Sequence, residues 1–285
     1  MTSLVYRFMG ITLYTLIVFL YIDFLHSQIK LEITLLNANL KPTHNTSQTP
    51  NQTTNQTPNP TSSQTPSLAA CVMFRIWPGD SFGMSQEHVR QWVRYMRERA
   101  GITHITGYCN NNCVEVDYFD EFHIWPERDY ATAQRNANNH CIIANHNSWL
   151  LICDIDEYPF MPKDTAPGFL RRYVETTQAS QILLRSMFFG QSGKHVEPNQ
   201  TLFEAYTFRM PNAEDAFTRT KPLFRVDRMD SQLYQPNIVH AMNMPNTIVA
   251  DPETLRLNHY WGIRLDKPIS ELYYDNSMSL AVGLL

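Results

Sequence analysis

The chain has 285 residues, 43% of them hydrophobic and 18% charged, enough to bury one substantial core and, once the N-terminal segments are set aside, one catalytic-size domain. A formal net charge of -4 and a pI near 6.2 give none of the broad basic footprint that the dense phosphate charge of duplex nucleic acid selects. Nucleic acid is therefore excluded as an expected partner.

Residues 1–7 form a short polar start carrying Arg7, predicted as a cytoplasmic tail. The stretch from Phe8 to Leu25 is almost wholly apolar, interrupted by Asp23, and is just long enough to cross a bilayer as a helix. A cleaved signal peptide is the competing reading, but its positive region would be a single arginine, and Leu25-His26-Ser27 is a poor small-x-small site. The sequence thus predicts a transmembrane signal anchor over 8–25. Lys30 and His26 on its far side leave the orientation undetermined by charge. Residues 26–67 read as a stem. From Asn37 to Ser67 the chain is mostly Thr, Pro, Asn, Gln and Ser with hardly a charge, Gln-Thr-Pro recurring at Gln48, Gln56 and Gln64, too polar to fold on its own. Asn-x-Ser/Thr acceptors stand at Asn45, Asn51 and Asn55, with another at Asn199. Tail, span and glycosylatable stalk together describe a single-pass type II lumenal protein.

Five cysteines, Cys71, Cys109, Cys113, Cys141 and Cys153, suit one or two disulfides in an oxidising lumen and leave at least one unpaired. Spacing does not settle the connectivity. Cys109 and Cys113 lack the second nearby pair that a zinc site needs.

The folded domain is predicted over 68–285. Leu68 to Trp77 is an apolar run of strand length, ended by Pro78-Gly79. A helix follows with Ser85 as N-cap, Val89, Trp92, Val93 and Met96 on one face, Arg90, Arg94 and Arg97 outward, and Gly101 at its end. Ile102–Cys109 reads as a second strand, closed by the polar turn Asn110-Asn111-Asn112. A second helix is predicted over Glu127–Asn147, with Ala133, Ala137, Cys141 and Ala144 as a small-residue packing face. Trp149 to Cys153 is apolar at every position, the signature of a strand buried on both faces in a parallel sheet. The alternation implies an α/β sandwich with a mostly parallel central sheet, in which ligands bind at the carboxyl ends of the strands.

Immediately after that strand come Asp154, Ile155, Asp156 and Glu157. Carboxylates so close together at the mouth of a buried strand repel one another unless a positive group neutralises them. Their oxygens suit hard Mn²⁺ or Mg²⁺, which keep coordination positions open for substrate phosphates. A nucleotide-sugar diphosphate supplies such oxygens, and its charge builds as the sugar departs.

With this motif the chain resembles glycosyltransferase family 92 and the neighbouring family-2-like enzymes of the GT-A fold, over most of the region from about Cys71 to His259. The resemblance is carried by Gln91-Trp92-Val93-Arg94-Tyr95 before Gly101-Ile102-Thr103-His104, by WLLICDIDEYPF, by FFGQSG, by KPLFR and by the late His259-Tyr260. It implies a metal-dependent hexosyltransferase of the Golgi or endoplasmic reticulum membrane, acting with inversion. The donor would be a nucleotide sugar, UDP-galactose first, and the acceptor a glycan or glycoprotein. Asp154 and Asp156 would be the metal and diphosphate ligands, and Glu157 their support or a contact to the sugar. His259, or else His240, would complete the metal shell. Lys221 and Arg225 would face the diphosphate. Inversion also needs a base at the acceptor hydroxyl. Glu204, Glu214 and Asp215 lie in the interval implied, and Asp215 is the first choice, with Glu204 behind it. Two departures stand out: Trp261-Gly262-Ile263-Arg264 replaces the usual Lys-Ser continuation, and RIWPGDSFGMSQEH is longer than such a connection requires.

Two other readings compete. A metal-dependent phosphoester hydrolase could use the same acidic pair, with His123 nearby but no clear ligand spacing. A non-catalytic, membrane-tethered carbohydrate-binding protein would need only the stalk and the aromatic residues.

Overall fold

Strand β1 (Ser67–Phe74) is buried at every position after its first and divides its side chains between two cores. Leu68, Ala70, Val72 and Phe74 enter one, and Ala69, Cys71 and Met73 the other, as the two-residue period of a strand requires. A computed structural model describes residues 67–76, 85–111, 113, 117–125, 127–146, 148–197, 200–211, 219–229, 242–262, 264–265 and 267–283, all belonging to the compact unit Ser62–Leu285. The predicted tail, the anchor over 8–25, the stem as far as residue 66 and the Asn199 acceptor lie outside them. Among the described residues no helix is long and apolar enough to cross a membrane.

Helix α1 (Gln86–Tyr95) begins at Ser85, whose side chain accepts from the His88 N–H while the His88 ring accepts from the Ser85 N–H, a reciprocal cap with histidine in the place of glutamate. It continues through a π turn, Met96–Ala100, and stops at Gly101, whose φ of 84° lies in the left-handed region. Val89, Trp92, Val93 and Met96 pack into the first core beside helix α3 (Phe169–Thr176). Strand β2 (His104–Cys109) follows, two residues later than predicted. Strand β3 (Glu121–Ile124), parallel to β2, has no counterpart in the sequence analysis, because at four residues with no fully buried position it lacks an apolar run.

Helix α2 (Tyr130–Ala144) starts three residues after the predicted Glu127, because the Asp129 carboxylate accepts from the Thr132 N–H and caps it there. Ala133, Ala137 and Cys141 pack into the second core, while Ala144 turns outward in the last turn. The Cys71–Cys141 disulfide fastens α2 to β1; Cys109–Cys113 forms a second bridge, and buried Cys153 stays free. Strand β4 (Ser148–Asp154) then enters the sheet beside β1, with Met73 paired to Asp154.

The architecture is mixed α/β with a mostly parallel central sheet. The order β3-β2-β1-β4 is parallel throughout. Beyond β4 lies β8 (Thr220–Arg225), antiparallel, and then β6 (Gln181–Gly190), which again follows the direction of β4. Past β6 come β7 (Phe208–Arg209) and β11 (Tyr273–Tyr274), while β9 (Thr247–Val249) and β10 (Arg256–Gly262) also pair with β6, and β5 (Glu157–Phe160) pairs with β10. Only β5, β7 and β8 among these strands oppose β1. Short helices α4 (Leu202–Ala205) and α5 (Ser277–Gly283) complete the described α-helices. The chain leaves β1 toward β2 on one side and returns to β4 on the other, so the carboxyl ends of β1 and β4 border the reversal of strand order where ligands bind in such sheets.

The Cys71–Cys141 bridge closes a sequence separation of 70. The pair Cys71→Ala and Cys141→Ala should lower unfolding stability by about 2–4 kcal/mol. Thermal unfolding of the double variant checks this, and an unchanged Tm would show that the apolar face of α2 suffices to hold it.

Candidate functional site

Strand β4 ends at Asp154, the chain turns through Ile155 and Asp156, and β5 begins at Glu157. The turn closes on itself, since the Asp154 N–H donates to Glu157 Oε2 at 2.8 Å. Helix α1 holds β5 from behind, with Trp92 Nε1 donating to the Glu157 carbonyl at 2.9 Å and the Tyr95 hydroxyl to the Pro159 carbonyl at 2.6 Å. The Glu157 side chain is consequently 1% exposed.

Two strands distant in sequence deliver the cationic partners. Strand β8 runs against β4, so its first residues lie beside the acidic end. Lys221 Nζ stands 2.7 Å from Asp154 Oδ2 and 3.2 Å from Glu157 Oε2, with its side chain 4% exposed. The ladder between β4 and β8 covers Leu223 to Arg225 and stops at Pro222, which has no N–H to give. Strand β10 pairs His259 with Glu157, placing Nδ1 3.3 Å from Glu157 Oε1 and Nε2 3.4 Å from Asp156 Oδ2. Glu157 Oε1 accepts no hydrogen bond, so its contact with His259 is ionic and off-line. Arg264 NH2 reaches Asp156 Oδ2 at 2.6 Å, and Gln134 of α2 donates to Asp154 Oδ1 at 2.9 Å.

Burial by itself would raise the Asp156 carboxyl, but His259 and Arg264 bring it down to about 2. Burial would strip His259 of its proton, yet the Asp156 and Glu157 carboxylates outweigh it and raise its pKa. Lys221 is likewise held protonated against burial by Glu157 and Asp154. The Glu157 carboxyl is raised above its ordinary range, chiefly by burial, because one ammonium shared between two carboxylates does not serve both fully. These groups line a cavity of about 540 Å³ together with Arg75, Tyr130, Arg219 and Trp261.

The structure thus brings together Asp154, Asp156, Glu157, Lys221 and His259. It does not bring Arg225 or Glu204. Arg225 pairs with Trp149 at the opposite end of β4, four residues or about 13 Å along the strand from Lys221, and its guanidinium binds Asp227. Glu204 is taken up at the start of α4, where its carboxylate accepts from the Thr201 N–H at 2.9 Å and hydroxyl at 2.7 Å, and it does not line the cavity. Asp215, Glu214 and His240 lie outside the described residues. His123 stacks on Tyr108, in the second core's flank. Among the described residues no three His, Cys, Asp or Glu side chains are placed to hold a metal ion, and Asp154 is engaged by Lys221 and Gln134. Asp156 is engaged by Arg264 and stands beside His259.

Arg264, Gln134, Arg75 and Arg219 were not singled out from the sequence. An isolated cation or amide carries no pattern, although the alternation of His259 and Trp261 along β10 is a signal that a strand, with one face toward the acids, passes there. No family model and no curated protein matches the chain.

Lys221→Met leaves buried Glu157 and partly exposed Asp154 without their ammonium and should destabilise the fold by about 3–5 kcal/mol. Adding Glu157→Gln should recover part of that loss. Denaturant unfolding of both singles and the double measures the coupling, and strictly additive losses would contradict it.

Proposed function

We propose that the chain is a glycosyltransferase of the GT-A type, moving a sugar from a nucleotide sugar, UDP-galactose the first candidate, to a glycan or glycoprotein acceptor. On this reading residues 8–25 anchor it in the Golgi or endoplasmic reticulum membrane, with the domain over 68–285 in the lumen. The observation that carries the proposal is the meeting of Asp156 and His259, more than a hundred residues apart in sequence, at 3.4 Å beside the carboxyl end of a buried parallel strand.

Asp156 would supply the hard oxygen that Mn²⁺ or Mg²⁺ takes, with the His259 imidazole beside it, and such ions keep positions for water and phosphate oxygens instead of demanding a full protein cage. When bound, the ion would supply positive charge against the departing diphosphate. Glu157 acts as a positioning residue: its carboxylate attracts the His259 ring from the Nδ1 side at 3.3 Å, with Nε2 toward Asp156. Lys221 neutralises Asp154 and Glu157 from within the fold, which keeps the acidic turn from repelling a diphosphate as strongly as three bare carboxylates would. Arg264 offers a further cation at Asp156. The acceptor proton is assigned to Asp215. Because Asp154, Glu157, Lys221 and His259 stand on paired strands, the acidic turn is organised before the substrate arrives.

The full-length protein, supplied with nucleotide sugars one at a time, should release UDP in a manganese-dependent way, and Asp156→Asn should lower that release by roughly 100-fold. Asp154→Asn should lower it as well. No metal-dependent release from any UDP-, GDP- or CMP-sugar would remove the proposal's support, and glycan binding indifferent to chelators would then favour the tethered carbohydrate-binding protein.

A further inference from the structure

Part of the cavity wall is left unused by the metal and diphosphate roles. Strand β10 presents His259 and Trp261 in the same direction, and Phe188 of β6, paired with His259, brings its ring to 5.0 Å from the Trp261 indole and 4.8 Å from the imidazole. Gly262, with φ 61°, turns the chain so that the Arg264 guanidinium comes back to 5.5 Å from the same indole. Arg219, just before β8, is fixed by the Ser186 N–H donating to its carbonyl at 2.9 Å, and its guanidinium stands 5.7 Å from Trp261 and 5.9 Å from Phe188.

The carboxylates of the cavity are already met. Lys221 is shared by Asp154 and Glu157, and Arg264 and His259 face Asp156. Arg75 lies over the Tyr130 ring at 4.1 Å and donates to Asn110. Among the described residues exposed Arg219 stands near the Trp261 and Phe188 rings and pairs with no carboxylate. A guanidinium against rings is weakly hydrated, keeps a planar N–H fork, and matches a planar or trigonal anion in bidentate fashion. The adjoining indole and phenyl rings suit the C–H face of a pyranose. Arg219 precedes Lys221 by two residues, about 7 Å along the chain, and stands beside Trp261 instead of reaching the carboxylates that Lys221 meets.

We infer that Arg219, with Trp261 and Phe188, is an acceptor subsite that selects a sugar carrying a carboxylate or sulfate ester. The inference rests on the transferase reading and names the substrate class of its acceptor side.

The test is binding to the full-length protein without donor or metal. The probes are a glucuronate-terminated disaccharide against its methyl ester, and a 6-sulfated disaccharide against its neutral parent. At least one acidic probe should bind about tenfold tighter than its neutral partner. Arg219→Gln should bring that ratio close to one, and Arg219→Lys, which keeps the charge without the fork, should leave an intermediate ratio. The arm that shows the preference identifies the anion. Equal binding of acidic and neutral probes by the unaltered protein overturns the inference, as does a preference that survives Arg219→Gln. A fall in UDP affinity in Arg219→Gln as large as the fall for the acidic sugar also overturns it, by assigning Arg219 to the donor. Nucleotide release scored on the same samples separates the two readings: release without acid preference sinks the subsite alone, and acid preference without release sinks the transferase.

Discussion

The acidic turn depends on one buried ammonium. Lys221 is 3% exposed, and a lysine so placed would ordinarily lose its proton. It keeps it because Asp154 and Glu157 both touch it, and these carboxylates tolerate their own proximity because it is there. Neither side of this arrangement is stable alone, since an unpaired buried charge costs several kcal/mol. The requirement reaches into the topology. Only a strand inserted against the direction of β4, between β4 and β6, puts its first residues at the carboxyl end of β4, and β8 is that strand. Pro222 ends the ladder at the point where Lys221 turns to the acids.

A second constraint is backbone approach. A Cβ on Gly190 would stand 2.2 Å from the Gly262 carbonyl, so the meeting of β6 and β10 needs glycine there. That contact sets where β10 lies, and β10 sets His259 opposite Glu157. Helix α1 secures β5 from the other side through Trp92 and Tyr95. The histidine and the acids are thus each carried by a paired strand with a packed layer behind it, which is the condition for a site whose polar groups need little reorganisation. In the proposed reaction the same rigidity would separate two tasks along one cavity, with the diphosphate at the acidic turn and the acceptor toward the aromatic wall.

Much of the first half of the domain was legible in the chain. β1, α1 with its Ser85 cap and Gly101 stop, β2, α2 and β4 follow from periods, caps and one uninterrupted apolar run. The short strands did not, because β3 and β5 have four residues each and owe their pairing to β2 and β10 and not to any pattern of their own. Within the site, Asp154, Asp156 and Glu157 were visible as a cluster following a buried strand. Lys221 and Arg225 looked equivalent as paired cations of one short segment, and only strand direction separates them. Glu204 looked like any acid of suitable position, and a local cap claims it.

Composition, periodicity and spacing by themselves determined the α/β class, the buried strand and the acidic turn at its end, because those depend on residues near one another in the chain. Which cation neutralises which acid, which histidine stands beside Asp156, and which arginine stands near the aromatic wall were decided by tertiary structure alone. Those outcomes are set by strand order, strand direction and the close approach of β6 to β10, and these bring together residues separated by anything from two to more than a hundred positions.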